Sequence, residues 1–426
     1  MSIKELYTLF LQYPKVCTDT RKIEENCIFF ALKGDNFNGN TFAEKALELG
    51  AAYVVIDEVT YQVSDKCILV QNVLKTLQDL ATYHRKQLNL PVIAIVGSNG
   101  KTTSKELISA VLQQKYNVLS TPGNFNNHIG LPLTLLMLNQ THEIAVIEMG
   151  ANHEKENELL CQIALPSHGL VTNNGKDHLE GFGDLDGVIR SNAELFEYLK
   201  ANHGLAFVNH NDAVLMQKSE GLFKRKTYAA TPNNFADFAV EEFQLQPHIK
   251  FTYKGIEFHS SLSGDYNLDN IMAALAIGFH FGLNPTEVAA GIASYAPKNL
   301  RSEIIVTTNN KIFLDAYNAN PSSMEVSIRN FSAMPGENKL YVLGDMFEMG
   351  AYEAQEHQAL AAYCLAHNLE NVWLVGKAFC KVDSNYRKFE TTAEVVSYLK
   401  ENPLQQHFIF LKGSRGMKLE TLVEYL

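Results

Sequence analysis

No stretch of this 426-residue chain approaches the roughly 18 consecutive apolar residues that a membrane span requires. The opening Met1-Ser2-Ile3-Lys4-Glu5 has no basic segment followed by an apolar core, so no secretory leader is read there and a cytoplasmic location is expected. Blocks of lysine or arginine are missing too. With a net charge of −11 this argues against a general nucleic-acid binder, while leaving room for a local basic site that takes phosphates. The six cysteines, at 17, 27, 67, 161, 364 and 380, form no C-x-x-C pair. In a chain this large they read as reduced, partly buried thiols, not as a zinc site or disulfide frame. G-x-G-x-x-G is also lacking, so a nicotinamide site is not expected.

What is present is enough apolar residue, 46% of the chain, to bury several sheets. At roughly 150 residues per domain, the length predicts two or three domains. The most informative stretch is Pro91-Val92-Ile93-Ala94-Ile95-Val96-Gly97-Ser98-Asn99-Gly100-Lys101-Thr102-Thr103. A short β-branched run between proline and glycine reads as a buried parallel strand, and helical character follows Gly100 through Tyr116. Glycines at 97 and 100 let backbone N–H groups approach phosphate oxygens. Lys101 can reach the β- and γ-phosphates of a nucleotide, and the Thr102 hydroxyl can ligate Mg²⁺. Ile95 stands where a standard P-loop has its first glycine, leaving the shorter G-x-x-G-K-T-T.

Residues 1 to about 85 read as a small α/β unit. Arg21 and Lys33 flank turns rich in Asn, Asp and Gly, which either only reverse the chain or hold a phosphorylated substrate. From about 86 to 297 strands and helices alternate, as in an α/β domain with a mainly parallel sheet. Glu148 ends one buried strand, and His178 lies in the loop after the next, so both are expected above the carboxyl edge where such sheets bind ligands. Asn124, Asn126 and Asn127 lie in a segment too polar for a core. Phe251–Tyr253 and Ile256–His259 around Lys254-Gly255 predict a β-hairpin. A helix opens near Gly264, with Asn267 read as a cap and Asn270 facing a ligand. From about 298 a third, Rossmann-like unit has strands at 312–315, 339–344, 372–376 and 407–413.

The order of these motifs resembles the ATP-dependent Mur ligases of peptidoglycan synthesis, nearly end to end. Further markers are Asp19-Thr20-Arg21, Asn124–Asn127, His178-Leu179-Glu180, Asp315-Ala316-Tyr317-Asn318-Ala319-Asn320-Pro321, Gly344–Gly350 and Lys412-Gly413-Ser414-Arg415. Within the family the likeness is to the branch that adds D-alanyl-D-alanine to UDP-N-acetylmuramoyl-tripeptide. The resemblance implies three domains: 1–85 for the UDP-sugar-peptide, 86–297 for ATP and 298–426 as a C-terminal ligase domain. It also implies a monomer that uses ATP and Mg²⁺, and an acyl-phosphate intermediate.

Carried over by position, the resemblance makes Lys101, Glu148 and His178 catalytic, and Thr102, Glu148 and His178 metal ligands. Gly97, Ser98, Asn99, Gly100, Lys101, Thr102, Thr103, Asn270, Arg301 and Asp315 bind ATP. Thr20, Arg21, Lys33, Gly34, Asn124, Asn126, Asn127, Tyr317, Asn318 and Asn320 bind the other substrates. Asn318–Pro321 also reads as a plain strand-to-helix turn with a cap. Two departures stand out. Asn192 occupies the position of a lysine that the family carbamylates to bridge a second Mg²⁺, and Leu314 precedes Asp315 where two aspartates are usual. Lysine carbamate is therefore expected to be absent, with the second metal held by Glu148, His178, phosphate and water, or bound more weakly. Alternatives are the branch that adds the third residue, whose Asn-Pro-Arg motif is missing here, and a non-catalytic nucleotide-binding homologue. Whether the tripeptide ends in diaminopimelate or lysine has no legible motif.

Overall fold

The computed structural model describes residues 1–246, 248–297 and 300–426. Three α/β sheets follow one another along the chain. The first has four parallel strands in the order Lys15–Cys17, Cys27–Phe30, Tyr53–Ile56, Cys67–Leu69. Its second strand is buried throughout, as its run of Cys, Ile and two Phe requires. Helix Val73–Gln87 then serves two units at once. Its Leu77, Leu80 and Ala81 share one continuous core with Ile28, Phe30 and Val55 on one side and Val92, Ala94 and Leu131 on the other. Arg85, buried at its end, donates to the Leu88, Leu90 and Ala164 carbonyls and so fixes the path into the next strand.

The central sheet is parallel, in the order Phe238–Ala239, Lys224–Ala229, Leu205–Asn209, His168–Val171, Val92–Val96, Ile144–Glu148, Val118–Ser120. The chain leaves Val92–Val96 toward one edge and returns to its other side at His168–Val171. This reversal opens a crevice at the strands' carboxyl ends, beside Gly97. The predicted hairpin is present as Lys250–Tyr253 with Ile256–His259, joined by a third antiparallel strand, Glu242–Gln244, that the sequence did not reveal. The helix after Gly100 ends at Leu112, one turn short of the expected Tyr116. Helix Asp265–His280 is capped by Gly264, which corrects the reading of Asn267 as a cap. Asn267 sits inside the first turn, donating from its amide to the Ser263 carbonyl at 2.8 Å.

The third sheet runs Glu303–Val306, Lys311–Leu314, Phe408–Lys412, Lys339–Gly344, Val372–Val375, Arg387–Phe389, with only the first strand antiparallel. Its two faces pack separate apolar clusters, so it is a complete α/β layer. Of the six cysteines, none is in a disulfide, four are buried and Cys380 is exposed.

At the amino end of the central sheet, His168 Nε2 lies 3.2 Å from His280 Nε2, against Phe207 and Phe281. Burial, then His280 and Lys224, push the His168 pKa down to about 4. Unfolded, the ring titrates near 6.5, so between those values the unfolded chain takes up a proton that the folded one does not. Stability supplied by the neutral ring is complete above about pH 6.5 and is lost as pH falls toward 4. His168→Gln should therefore lose less stability than the parent between pH 7 and 5 in urea unfolding; equal losses would contradict the assignment.

Candidate active site

Strand Val92–Val96, with every residue buried, delivers the chain to Gly97 at the crevice. A Cβ at Gly97 would lie 2.1 Å from Thr172 Oγ1, and its φ of +132° suits only glycine. Gly100, at φ +80°, caps helix Lys101–Leu112, and a Cβ there would lie 2.7 Å from Asn270 Oδ1. The loop is bolted to residues 172–177, which follow the neighbouring strand His168–Val171. Ser98 Oγ donates to Asp177 Oδ1 at 2.6 Å and accepts from Gly175 N at 2.9 Å, and Thr172 Oγ1 donates to the Asn99 carbonyl at 2.7 Å. Lys101 folds over this loop, donating to the Gly97 and Ser98 carbonyls. Among the described residues its ammonium meets no carboxylate, so its charge is uncompensated beside the helix N-terminus, a natural anion site.

Thr102, Thr103, Asn124, Asn126, Asn127, Glu148 and His178 line the same cleft, of about 930 Å³. Glu148 is 2% exposed at the end of its strand. Its Oε1 accepts from Asn126 Nδ2 at 2.8 Å, while Oε2 is buried without a hydrogen bond. Lys105 Nζ lies 3.9 Å from that oxygen and donates to the Thr121 carbonyl at 2.9 Å. Lys105 was missed from the sequence, although a lysine one helical turn after Lys101 repeats its face and was the available signal. A buried carboxylate oxygen with no hydrogen-bond donor fits a hard cation, which takes one or two protein oxygens and fills the rest with phosphate and water. Among the described residues no three His, Cys, Asp or Glu side chains cluster as a fuller cage.

The third unit closes over this cleft. His178, at φ +46°, meets the Glu348 carboxylate through Nδ1, and Glu180 N donates to the Glu348 carbonyl at 3.1 Å. The bond from His178 holds the Glu348 carboxyl below its usual range. Lys176 Nζ reaches the buried Glu356 at 2.6 Å. Asn320 caps helix Pro321–Ala333, as its reading as a strand-to-helix turn expects, and its amide donates to Asn99 Oδ1 at 2.9 Å. Glu348, Lys176 and Glu356 were not anticipated as site residues, because nothing in the spacing reveals which loops meet across units.

Asn270 lines the cleft, yet its Oδ1 accepts from Ser104 Oγ at 3.0 Å and its amide donates to Asn267 Oδ1 at 3.2 Å. It therefore braces the phosphate loop as well as facing the cleft. Asp315 accepts from Lys412 Nζ at 2.6 Å and Ser327 Oγ at 2.8 Å. Burial raises its pKa, but Lys412 and these hydrogen bonds outweigh that and leave it lowered. Tyr317 carries the Arg301 guanidinium 3.8 Å from its ring centroid, and Asn318 and Asn320 line the wall beside it. Asn192 is buried and donates to Asn174 Oδ1 at 2.9 Å. By contrast, Thr20, Arg21, Lys33 and Gly34 do not line this cleft. Arg21 forks onto Asp19, and Lys33 lies between Asp57 and Glu58 at 2.9 and 2.8 Å.

A glycine-cradled phosphate loop at one sheet's reversal point, roofed by a second α/β sheet, is the arrangement of an ATP-using ligase, and the chain belongs to the Mur ligase family. Residues 13–107 match the model of the Mur ligase family catalytic domain, 95–278 the Mur ligase middle domain and 300–415 the Mur ligase glutamate ligase domain. More particularly, it is 36% identical to the UDP-N-acetylmuramoyl-tripeptide–D-alanyl-D-alanine ligase of Bacillus subtilis, covering 96% of this chain and 92% of that one. Among solved structures, MurF from Acinetobacter baumannii superposes with a TM-score of 0.87 at 28% identity, covering 96% and 92% of the two chains. MurF ligase from Thermotoga maritima, solved in complex with ADP, gives 0.85 at 25% identity and covers 97% of each. The α/β class and the ligase reading of the sequence are thus borne out.

Gly100→Ala should raise the KM for ATP at least tenfold while thermal unfolding stays cooperative, because the new methyl must displace Asn270 and strain the loop. An unchanged KM would show that the loop tolerates the displacement.

Proposed function

We propose that this chain joins D-alanyl-D-alanine to UDP-N-acetylmuramoyl-tripeptide at the expense of ATP, giving the pentapeptide precursor of the cell wall. The observation that carries the reading is the uncompensated Lys101 ammonium and the undonated Glu148 oxygen in one cleft, closed by a second α/β unit. Residues 1–85 would take the UDP-sugar end, with Thr20, Arg21, Lys33 and Gly34 as its ligands. Residues 86–297 would hold ATP and 298–426 the dipeptide. On this reading the enzyme works as a monomer in the cytoplasm.

The first step is attack of the tripeptide's terminal carboxylate on the ATP γ-phosphorus. The bond to the β-phosphate breaks, ADP leaves, and an acyl phosphate remains. The Gly97–Thr103 loop holds the β- and γ-phosphates on backbone N–H groups, and Lys101 swings from its own loop carbonyls to neutralise charge as it builds. The dipeptide amine then attacks the acyl carbon, and phosphate departs. Asn270 is read as the adenine contact, Asp315 as the ribose ligand, and Arg301 as a nucleotide contact from the junction of the units. Asn124, Asn126, Asn127, Tyr317, Asn318 and Asn320 shape the walls between the two substrates. Thr102, Glu148 and His178 would hold Mg²⁺, whose chemistry is to neutralise the phosphate oxygens.

Asn192 cannot form a carbamate, and its amide is committed to Asn174. Turnover should therefore be the same in bicarbonate-supplemented and carbon-dioxide-depleted buffer; a bicarbonate requirement would sink this part of the reading. ADP release should require UDP-N-acetylmuramoyl-tripeptide and D-alanyl-D-alanine together, and Lys101→Met should lower kcat by about 10²–10³-fold. Release of ADP without need of the dipeptide would reject the assignment.

A further inference from the structure

Helix Lys101–Leu112 carries a second lysine one turn after Lys101, and the reaction as read above makes no use of it. The Lys105 side chain is 4% exposed and does not line the cleft. Burying an ammonium is costly unless a nearby group answers its charge. Yet among the described residues its one hydrogen bond goes to a neutral group, the Thr121 carbonyl at 2.9 Å. Its carboxylate neighbours, Glu148 Oε2 and Glu106 Oε1, both lie 3.9 Å away, beyond hydrogen-bond reach. Glu106 is engaged by the Tyr295 hydroxyl at 3.0 Å, whereas Glu148 Oε2 meets no donor among the described residues.

Thr121 sets that spacing. It is buried, its carbonyl accepts from Lys105, and its hydroxyl accepts from Glu148 N at 2.9 Å. Its own N–H donates to the Val146 carbonyl at 3.1 Å, in the strand that ends at Glu148. Asn126 fixes the other carboxylate oxygen at 2.8 Å. One threonine thus holds both the ammonium and the backbone of the acid. A lysine hydrogen-bonded to Oε2 would offset its charge and occupy its lone pairs together. Held back on Thr121, Lys105 offsets the charge and leaves the lone pairs free.

We propose that Lys105 is a positioning residue that acts through Glu148: its charge offsets the carboxylate enough that the cleft takes a divalent cation only together with nucleotide phosphates. This rests on the reading of Glu148 as a cation ligand. A cation alone at Oε2 meets attraction from the carboxylate and repulsion from the ammonium beside it. Phosphates supply the missing negative charge, as suits a hard cation held by only one or two protein oxygens. Loading and release of the cation then follow those of the nucleotide.

The test is Mn²⁺ binding, read from the electron paramagnetic resonance of the free ion. Without nucleotide, Lys105→Met should bind Mn²⁺ at least about tenfold more tightly than the parent. Lys105→Arg, which keeps the charge, should match the parent, and adding Glu148→Gln to Lys105→Met should abolish the gain. Lys105→Gln carries the same expectation as Lys105→Met should the latter not fold. A lysine that merely braced the helix would, when removed, leave Mn²⁺ binding unchanged or weaker. Equal or weaker binding in the neutral variants therefore overturns the proposal. So does a gain shared by Lys105→Arg, or one that survives Glu148→Gln. If Glu148→Gln weakens Mn²⁺ binding in the presence of ADP while the Lys105 variants match the parent, only the role of Lys105 falls. If Glu148→Gln changes nothing either, the reading of Glu148 as a cation ligand falls with it.

Discussion

The structure turns on one close approach. The loop from Gly97 to Gly100 lies against residues 172–177 so tightly that a single methyl at Gly97 would penetrate Thr172. Because Ser98, Asn99 and Thr172 exchange hydrogen bonds across this seam, the backbone N–H groups at the start of the Lys101 helix are fixed before any phosphate arrives. Preorganised donors cost nothing to arrange during the reaction, and they act where water is excluded. The seam also sets the place of Asp177 and His178, since both belong to the loop that the phosphate loop is bolted to. The geometry of the phosphate loop and that of the Asp177–His178 turn are thereby one constraint.

Much of this was legible because it is local. Strand Val92–Val96, the glycines at 97 and 100, the emergence of Glu148 at a strand end and the Asn320-Pro321 helix start all follow from periodicity and turn chemistry within a few residues. Asn267 misled for the same reason. An asparagine three residues into a helix looks like a cap, but the left-handed Gly264 had already taken that role, and the amide turned back to Ser263. What could not be read was contact between distant segments. Lys105 beside Glu148, Glu348 on His178 and Lys176 on Glu356 join residues tens to hundreds of positions apart, and each depends on how whole sheets pack.

The first unit shows the opposite balance. Its Arg21 and Lys33 were legible as cations beside turns, and the structure finds both neutralised by nearby carboxylates, Asp19 and Glu58 in partly exposed pairs and Asp57 largely buried. Exposed pairs of this kind contribute little to stability and exchange readily for another anion. An anion arriving at Arg21 would thus compete with Asp19 at small cost, whereas displacing the largely buried Asp57 from Lys33, or Asp315 from buried Lys412, would cost far more.

The same reasoning separates architecture from recognition throughout the cleft. Lys412, Lys176 and Lys105 are cations whose charge, hydrogen bonds or burial are committed to holding loops: to Asp315, to Glu356 and to the Thr121 carbonyl. Lys101, Arg301 and Arg415 meet only carbonyls or a ring, and so keep their full charge for an incoming anion. Two of these face the cleft from different sheets: Lys101 from the central one, Arg301 from the third. The carboxylate–imidazole and lysine–glutamate contacts at residues 176–180 tie the third unit to the central one beside these cations.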